Sequence, residues 1–257
     1  MKKYHFYGKL CSWFYEIEKP FSNERECQFY LSFADEKMNI LEPMCGTGRF
    51  LVRFIEKGLS IDGFDLSKEM LEICKSKIEK LPANASNILQ CSNFKNFLPN
   101  KKYDYIFIPS GSFSLIIGNN NIIESINILE GLCKQNGRIL LELLINNDLE
   151  KNVISDVYSQ NRSVKQGHVE IVLLHKTTAI DEKDSIEYSM FKYELYENGK
   201  YVREEEEAFN VKYYMPNEFE KYLENTSLKI ENKYANHEKE KYINQSIERI
   251  IYEITKE

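Results

Sequence analysis

Short apolar runs alternate with amphipathic stretches through roughly the first 145 residues, and the rhythm then changes. Between residues 23 and 34, Cys27, Phe29, Tyr30, Leu31 and Phe33 lie among polar positions. Ser22 is placed to cap and Glu24 and Glu26 fall in the first turn, which predicts a helix. An apolar run at 38–41 meets Glu42-Pro43 and then Cys45-Gly46-Thr47-Gly48, after which Phe50, Leu51, Phe54 and Ile55 recur at helical spacing. The chain reads strand, glycine turn, helix. The unit repeats: 59–64 reads as a strand ending at Asp65, and Ser67 caps a helix whose inner face is Met70, Leu71, Cys74 and Ile78. Further strands are predicted at 87–91, 103–108 and 138–145, with a helix over 122–133 ending before Asn136-Gly137. Strands alternating with helices predict a parallel sheet covered on both faces.

Beyond residue 147 the pattern predicts a helix over 148–158 and then β-rich runs at 169–180, 185–196 and 201–214. Asn198-Gly199 is a type I′ hairpin signal between the last two. A helix with Pro216 in its first turn is predicted over 217–224, followed by strands at 228–234 and 247–254. No repeat of fixed period is visible, which excludes solenoids and propellers. The expected organisation is a helical cap (1–35), an α/β core (36–147), a helix plus antiparallel β insertion (148–214) acting as lid or dimerisation element, and a C-terminal segment (215–257) that completes the core sheet.

A length of 257 residues suits one α/β domain carrying such an insertion. At 42% hydrophobic and 29% charged residues the chain buries a core and is neither disordered nor low-complexity. Lys and Arg number 34 against 40 Asp and Glu, a net charge of −6, so no summed positive field draws it to phosphate backbones, and nucleic acid is a disfavoured partner. The six cysteines contain no CxxC pair and read as reduced, mostly buried thiols. His5, His168, His175 and His237 show no metal-ligand spacing, so no metal is expected. The N-terminus lacks an apolar signal core and no run of 18 apolar residues occurs, giving the expectation of a soluble cytoplasmic protein with no membrane partner. The Glu204 to Glu207 run reads as a charged guard on an exposed strand edge.

The informative segment is Ile40-Leu41-Glu42-Pro43-Met44-Cys45-Gly46-Thr47-Gly48-Arg49-Phe50. An acid at a strand end, followed by a glycine turn into a helix, offers backbone N–H groups and a positive dipole end. A Rossmann dinucleotide site wants a third glycine where Leu51 stands, and a P-loop wants Gly-Lys-Ser/Thr where the chain has Gly48-Arg49-Phe50. Asp65, in Gly63-Phe64-Asp65-Leu66-Ser67, ends the second strand, and Gln90 to Phe97 and Tyr103 to Phe113 follow in order.

Together these segments resemble the motifs of the class I S-adenosylmethionine-dependent methyltransferases, small-molecule type. The likeness covers roughly the first 145 residues and the final helix and strands. Glu42, Gly46 and Gly48 match the first motif, with Met44 at the first glycine position. The resemblance implies a doubly wound, Rossmann-like seven-stranded sheet of order 3-2-1-4-5-7-6 with the last strand antiparallel, and S-adenosylmethionine as cofactor, released as S-adenosylhomocysteine. Asp65 would accept from both ribose hydroxyls, Leu66 and Met70 would lie against adenine, and Asn93 would accept from the adenine amino group in place of the usual Asp. Trp13-Phe14-Tyr15 resembles an N-terminal aromatic element that places Tyr15 at the methionine carboxylate. Met44, Cys45, Arg49, Ser92, Phe94 and Pro109 complete the cofactor contacts. Ser110, Ser112 and Phe113 would border the acceptor, with His168, near the start of the insertion, as the histidine assigned to that side.

The implied reaction moves a methyl group to nitrogen or oxygen of a small molecule by in-line displacement, mainly through alignment. No residue is assigned as catalytic base. The acidic balance and the absence of an Asn/Asp-Pro-Pro-Tyr sequence, where the chain has Ile108-Pro109-Ser110-Gly111, argue against nucleic-acid bases as acceptors. An RNA or protein methyltransferase, a non-catalytic scaffold that keeps the fold and a NAD-dependent oxidoreductase are the alternatives. A homodimer through the β insertion is a further expectation.

Overall fold

A computed structural model describes residues 7–81, 88–146, 149 and 152–257. The chain forms helices α1 (Lys9–Glu18), α2 (Glu24–Leu31), α3 (Leu51–Glu56), α4 (Lys68–Ile78) and α5 (Asn119–Leu132). Its first five strands are β1 (Ile40–Pro43), β2 (Ile61–Asp65), β3 (Leu89–Cys91), β4 (Tyr103–Ile108) and β5 (Cys133–Leu144). Four long strands follow, β6 (Ser159–Gln166), β7 (Val169–Asp181), β8 (Ile186–Glu197) and β9 (Lys200–Lys212), and then β10 (Leu228–Tyr234) and β11 (Arg249–Lys256). Among the described residues no helix is long and apolar enough to cross a membrane.

Seven strands make one sheet, in the order β10-β11-β5-β4-β1-β2-β3. The pairs from β3 to β5 are parallel, and β11 runs antiparallel to both β5 and β10. This is the 3-2-1-4-5-7-6 order expected from the resemblance. Strand alternation feeds two cores: Ile106, Ile108, Leu141 and Tyr252 join α5 residues Ile122 and Ile126 in one, while Phe107, Leu140 and Ile251 join Tyr30 of α2 and Phe54 of α3 in the other.

The second sheet is antiparallel, in the order β6-β7-β8-β9. Asn198 (φ 48) and Gly199 (φ 74) make the turn from β8 to β9 with both central residues left-handed, as a type I′ hairpin requires. One face of this sheet packs on α1, where Leu10, Cys11 and Phe14 meet Ile171, Leu173, Tyr193 and Leu195.

Several local expectations are corrected. Asn23, not Ser22, caps α2, its side chain accepting from the Glu26 N–H at 2.9 Å. No helix occupies residues 152–158: Ile154 forms an isolated bridge to Thr177, and Asp148 lies outside the described residues. Strand β6 was not predicted, because Ser-Gln-Asn-Arg-Ser shows no apolar alternation; its backbone pairs with β7 along one edge of the sheet. The helix at 217–224 is only a 3-10 turn, Phe219–Tyr222. Helix α5 passes directly into β5, and Asn136 (φ 61) sits at a register irregularity inside that strand instead of following a helix end. Residues Glu204 to Glu207 are not all solvated: Glu205 accepts from Leu10 N–H at 2.8 Å, and Glu207, 4% exposed, accepts from Gly8 N–H at 3.4 Å. These two acids cap α1, favourable against its positive end.

Candidate active site

Parallel strands end together, so the segments leaving β1, β2, β3 and β4 meet at one edge of the sheet. They enclose a cavity of about 300 Å³. Its floor is the turn after β1, where Met44 (φ 58), Gly46 (φ 54) and Gly48 (φ 76) alternate in the left-handed region. Met44 thus takes a left-handed conformation that favours glycine, at a cost of about 1 to 2 kcal/mol for an L side chain. Gly48 is needed twice, for a Cβ there would stand 2.5 Å from Cys74 Sγ in α4.

Asp65 ends β2 and faces the turn. Its Oδ2 accepts from Gly46 N–H and its Oδ1 from Ser67 N–H, both at 2.8 Å. Burial raises its pKa, while the Ser67, Gly46 and Leu66 N–H groups oppose the rise. Three N–H groups leave the carboxylate part of its acceptor capacity for a ligand. Ser67 also accepts from Met70 N–H at 3.1 Å, capping α4, and donates its hydroxyl to Tyr7 O at 2.8 Å. That bond ties the N-terminal segment to the site.

Glu42 lines the cavity, is 2% exposed and has its pKa pushed well up by burial. Its Oε2 has no hydrogen-bond partner, and neither does Oγ1 of Thr47 beside it. Unsatisfied buried polar atoms at a cavity wall are costly unless something occupies the cavity. Tyr15, whose pKa is raised by burial and lowered in part by the Arg49 charge, and Arg49 itself form the wall toward α1. Arg49 lies 3.7 Å from Glu26.

Behind the turn after β4, Glu142 of β5 is 1% exposed and collects four partners. It accepts from Ser110 N–H at 2.8 Å, Tyr30 O–H at 2.9 Å and Arg249 Nη1 at 2.9 Å, and its Oε2 faces His237 Nε2 at 3.4 Å. Burial alone would raise its pKa, but His237 and Arg249 hold it down at about 2. The cluster fixes the turn in which Ser110 (φ 59) and Gly111 (φ 72) are both left-handed.

Of the residues singled out in the sequence, Tyr15, Glu42, Met44, Cys45, Gly46, Arg49, Asp65, Leu66, Met70, Ser92, Asn93, Phe94, Pro109, Ser110 and Ser112 line this one cavity. Three do not. Gly48 stands behind the turn against Cys74, Phe113 is wholly buried in the core edge-on to Phe219, and His168 is exposed in the β6–β7 turn. Asn93 spends part of its side-chain carbonyl on the Asn96 N–H at 3.0 Å. The reading missed Tyr7, Thr47, Phe50, Phe64, Leu115 and Ile116. Thr47 and Phe50 sit in the segment from Ile40 to Phe50 and Phe64 directly precedes Asp65, so adjacency points to all three; Tyr7 carries no such signal.

Residues 40–137 match the protein family described as a methyltransferase domain. The chain is 31% identical over 113 residues to malonyl-acyl-carrier-protein O-methyltransferase 2 of Ilyobacter polytropus, covering 43% of this chain and 41% of that protein. Among solved structures it is similar to an S-adenosylmethionine-dependent methyltransferase from Clostridium acetobutylicum, with a TM-score of 0.76, 18% identity and coverage of 97% and 98% of the two chains. It is also similar to an S-adenosylmethionine-bound amino pentose methyltransferase from Micromonospora echinaspora, with a TM-score of 0.66, 11% identity and coverage of 99% and 100%.

Proposed function

We propose that this chain, which has the class I methyltransferase fold and a methyltransferase domain over residues 40–137, moves a methyl group from S-adenosylmethionine to a nitrogen or oxygen of a small-molecule acceptor. One observation carries the reading. The Asp65 carboxylate is locked by Gly46 and Ser67 N–H at the mouth of a cavity whose floor is bare left-handed main chain. Its remaining acceptor capacity suits a hydroxyl of a vicinal diol, and charge-assisted bonds of that kind are strong.

The residues present fit the cofactor. Asp65 would hold the ribose, Leu66 and Met70 the adenine faces, and Tyr15 and Arg49 the carboxylate end, while Glu42 Oε2 and Thr47 Oγ1 are acceptors still open. When bound, S-adenosylmethionine supplies a methyl group on a positively charged sulfur, an activated leaving group. Alignment of an unprotonated nucleophile is then the enzyme's main task, worth several kcal/mol of barrier. The turn at Pro109 to Ser112, braced by Glu142, is the wall against which that nucleophile would be positioned. The small-molecule acceptor is supported by the net charge of −6 and by the neighbour that acts on an amino pentose.

Calorimetric titration with S-adenosylmethionine tests the reading. Saturable binding is expected, weakened by about 1 to 3 kcal/mol, or roughly fivefold to 150-fold, in Asp65→Ala. Absence of binding at millimolar ligand would overturn the function, and unchanged affinity in the variant would remove Asp65 from the site.

A further inference from the structure

The insertion sheet has a second cavity of about 450 Å³ on the face that carries α1. The register pairs His175 with Phe191, Thr177 with Ser189 and Ser189 with Phe209, so these side chains project from one face. Phe191 and Phe209 stack at 4.4 Å and form the apolar wall.

Glu187, 8% exposed, lies at the polar end. Its Oε1 accepts from Thr177 Oγ1 at 2.7 Å and Ser189 Oγ at 2.9 Å, and its Oε2 from Asn152 Nδ2 at 3.0 Å and Tyr213 O–H at 3.3 Å. All four donors are neutral. Among the described residues, the one titratable cation within 4.0 Å is the His175 imidazole, at 3.9 Å. Glu142, by contrast, has the Arg249 guanidinium at 2.9 Å. Four neutral donors orient a carboxylate without cancelling its charge, and a buried charge is stable only when a counter-charge meets it. Tyr213, the donor to Oε2, has its pKa pushed up to about 12, first by burial and then by its place beside Glu187.

The cavity adjoins the donor site. Phe209 meets Tyr7 edge-on at 6.5 Å, and Tyr7 lines the first cavity. Strand β9 also packs on the 3-10 turn Ser112–Leu115, whose two end residues line that cavity too.

We propose that the second cavity is the acceptor's recognition subsite and takes a protonated amine, with Glu187 as counter-ion and the Phe191–Phe209 pair as apolar wall. This rests on the donor reading above only for its word "acceptor"; the preference for an organic cation stands on the cavity itself. The amine recognised there is a part of the acceptor distinct from the atom methylated beyond Tyr7.

Calorimetry on the full chain, with and without S-adenosylhomocysteine, compares benzylammonium with benzyl alcohol, its neutral counterpart of similar size. Native protein is expected to prefer benzylammonium by about tenfold, Glu187→Gln to lose that preference, and His175→Lys, which sets a fixed cation beside Glu187, to exclude the probe. S-adenosylhomocysteine affinity, unchanged in both variants, shows that each is folded. Equal affinity for the two probes, no binding of benzylammonium, or a preference that survives in Glu187→Gln would overturn the proposal. Failure of S-adenosylhomocysteine to bind native protein would sink the donor reading instead, and the comparison without it still decides this one.

Discussion

The two cavities are built by opposite means. The first is shaped by backbone: strand ends brought level by a parallel sheet, a turn in left-handed conformation, and one carboxylate held by main-chain N–H groups. The second is shaped by side chains that alternate along antiparallel strands, where a carboxylate is held by hydroxyl and amide groups. A backbone site tolerates little change at the residues that set its conformation. A side-chain site is rewritten by single substitutions while the sheet beneath persists, so a fold of this kind can keep its donor site and vary its acceptor.

The largest effect is expected at the backbone site. Gly48→Ala puts a Cβ 2.5 Å from Cys74 Sγ at φ +76. Strain and overpacking together cost about 3 kcal/mol, read as a lower denaturant midpoint. A change below about 1 kcal/mol would show that the turn yields and that the contrast with the side-chain site is weaker than drawn.

Two buried carboxylates sharpen the comparison through opposite pH dependence. Glu142, on β5 of the core sheet, has its pKa lowered from the ordinary 4.5 to about 2 by His237 and Arg249, against the effect of burial. Folding lowers its pKa, so its contribution, about 3 kcal/mol, is present above pH 4.5 and lost as pH falls toward 2. Glu207, under the insertion sheet, has its pKa raised, first of all by burial. The folded state then holds a proton that the unfolded state releases, and stability falls as pH rises from the ordinary carboxyl value through the folded one. Denaturation across pH 2 to 8 is expected to show Glu142→Gln destabilised at neutral pH with a flattened acid limb. Glu207→Gln is expected to lose the fall in stability with rising pH that the native carboxyl contributes. Native-minus-variant differences that change with pH in the same direction for both would refute the assignment.

The difference in construction also explains what was legible in the sequence. Glu42, Met44, Cys45, Gly46 and Arg49 are near-neighbours in the chain, and Asp65 follows at the end of the next strand. Turn chemistry marks the segment and the family resemblance assigns its residues, and neither needs any knowledge of packing. The alternation predicts a parallel sheet covered on both faces, and the order of its strands came with the resemblance to the class I methyltransferases. Tyr7 was not legible, because it reaches the site through a bond from Ser67 across 60 residues of sequence. Nor was the second cavity: His175, Glu187 and Phe209 come from three strands, and only the β7–β8–β9 register brings them to one face. Glu204 to Glu207 looked like one solvated run because a strand hides its period from composition. Glu205 and Glu207 turn inward to α1, while Glu204 pairs with Lys192. Strand β6 exists by edge pairing, not by any apolar pattern of its own.

The smallest effect is expected at His168, the histidine assigned from the sequence to the acceptor side. Its turn is set by Gly167 (φ 61), and its role in the hairpin is carried by the main chain, the carbonyl accepting from Asn198 N–H at 2.9 Å. His168→Ala leaves both features intact, and an exposed substitution of this kind changes stability by less than about 0.5 kcal/mol. Thermal midpoint, S-adenosylmethionine affinity and benzylammonium affinity should all match native protein. A tenfold loss in benzylammonium binding alone would return His168 to the acceptor side and show that the side-chain site extends along β7 to its hairpin turn.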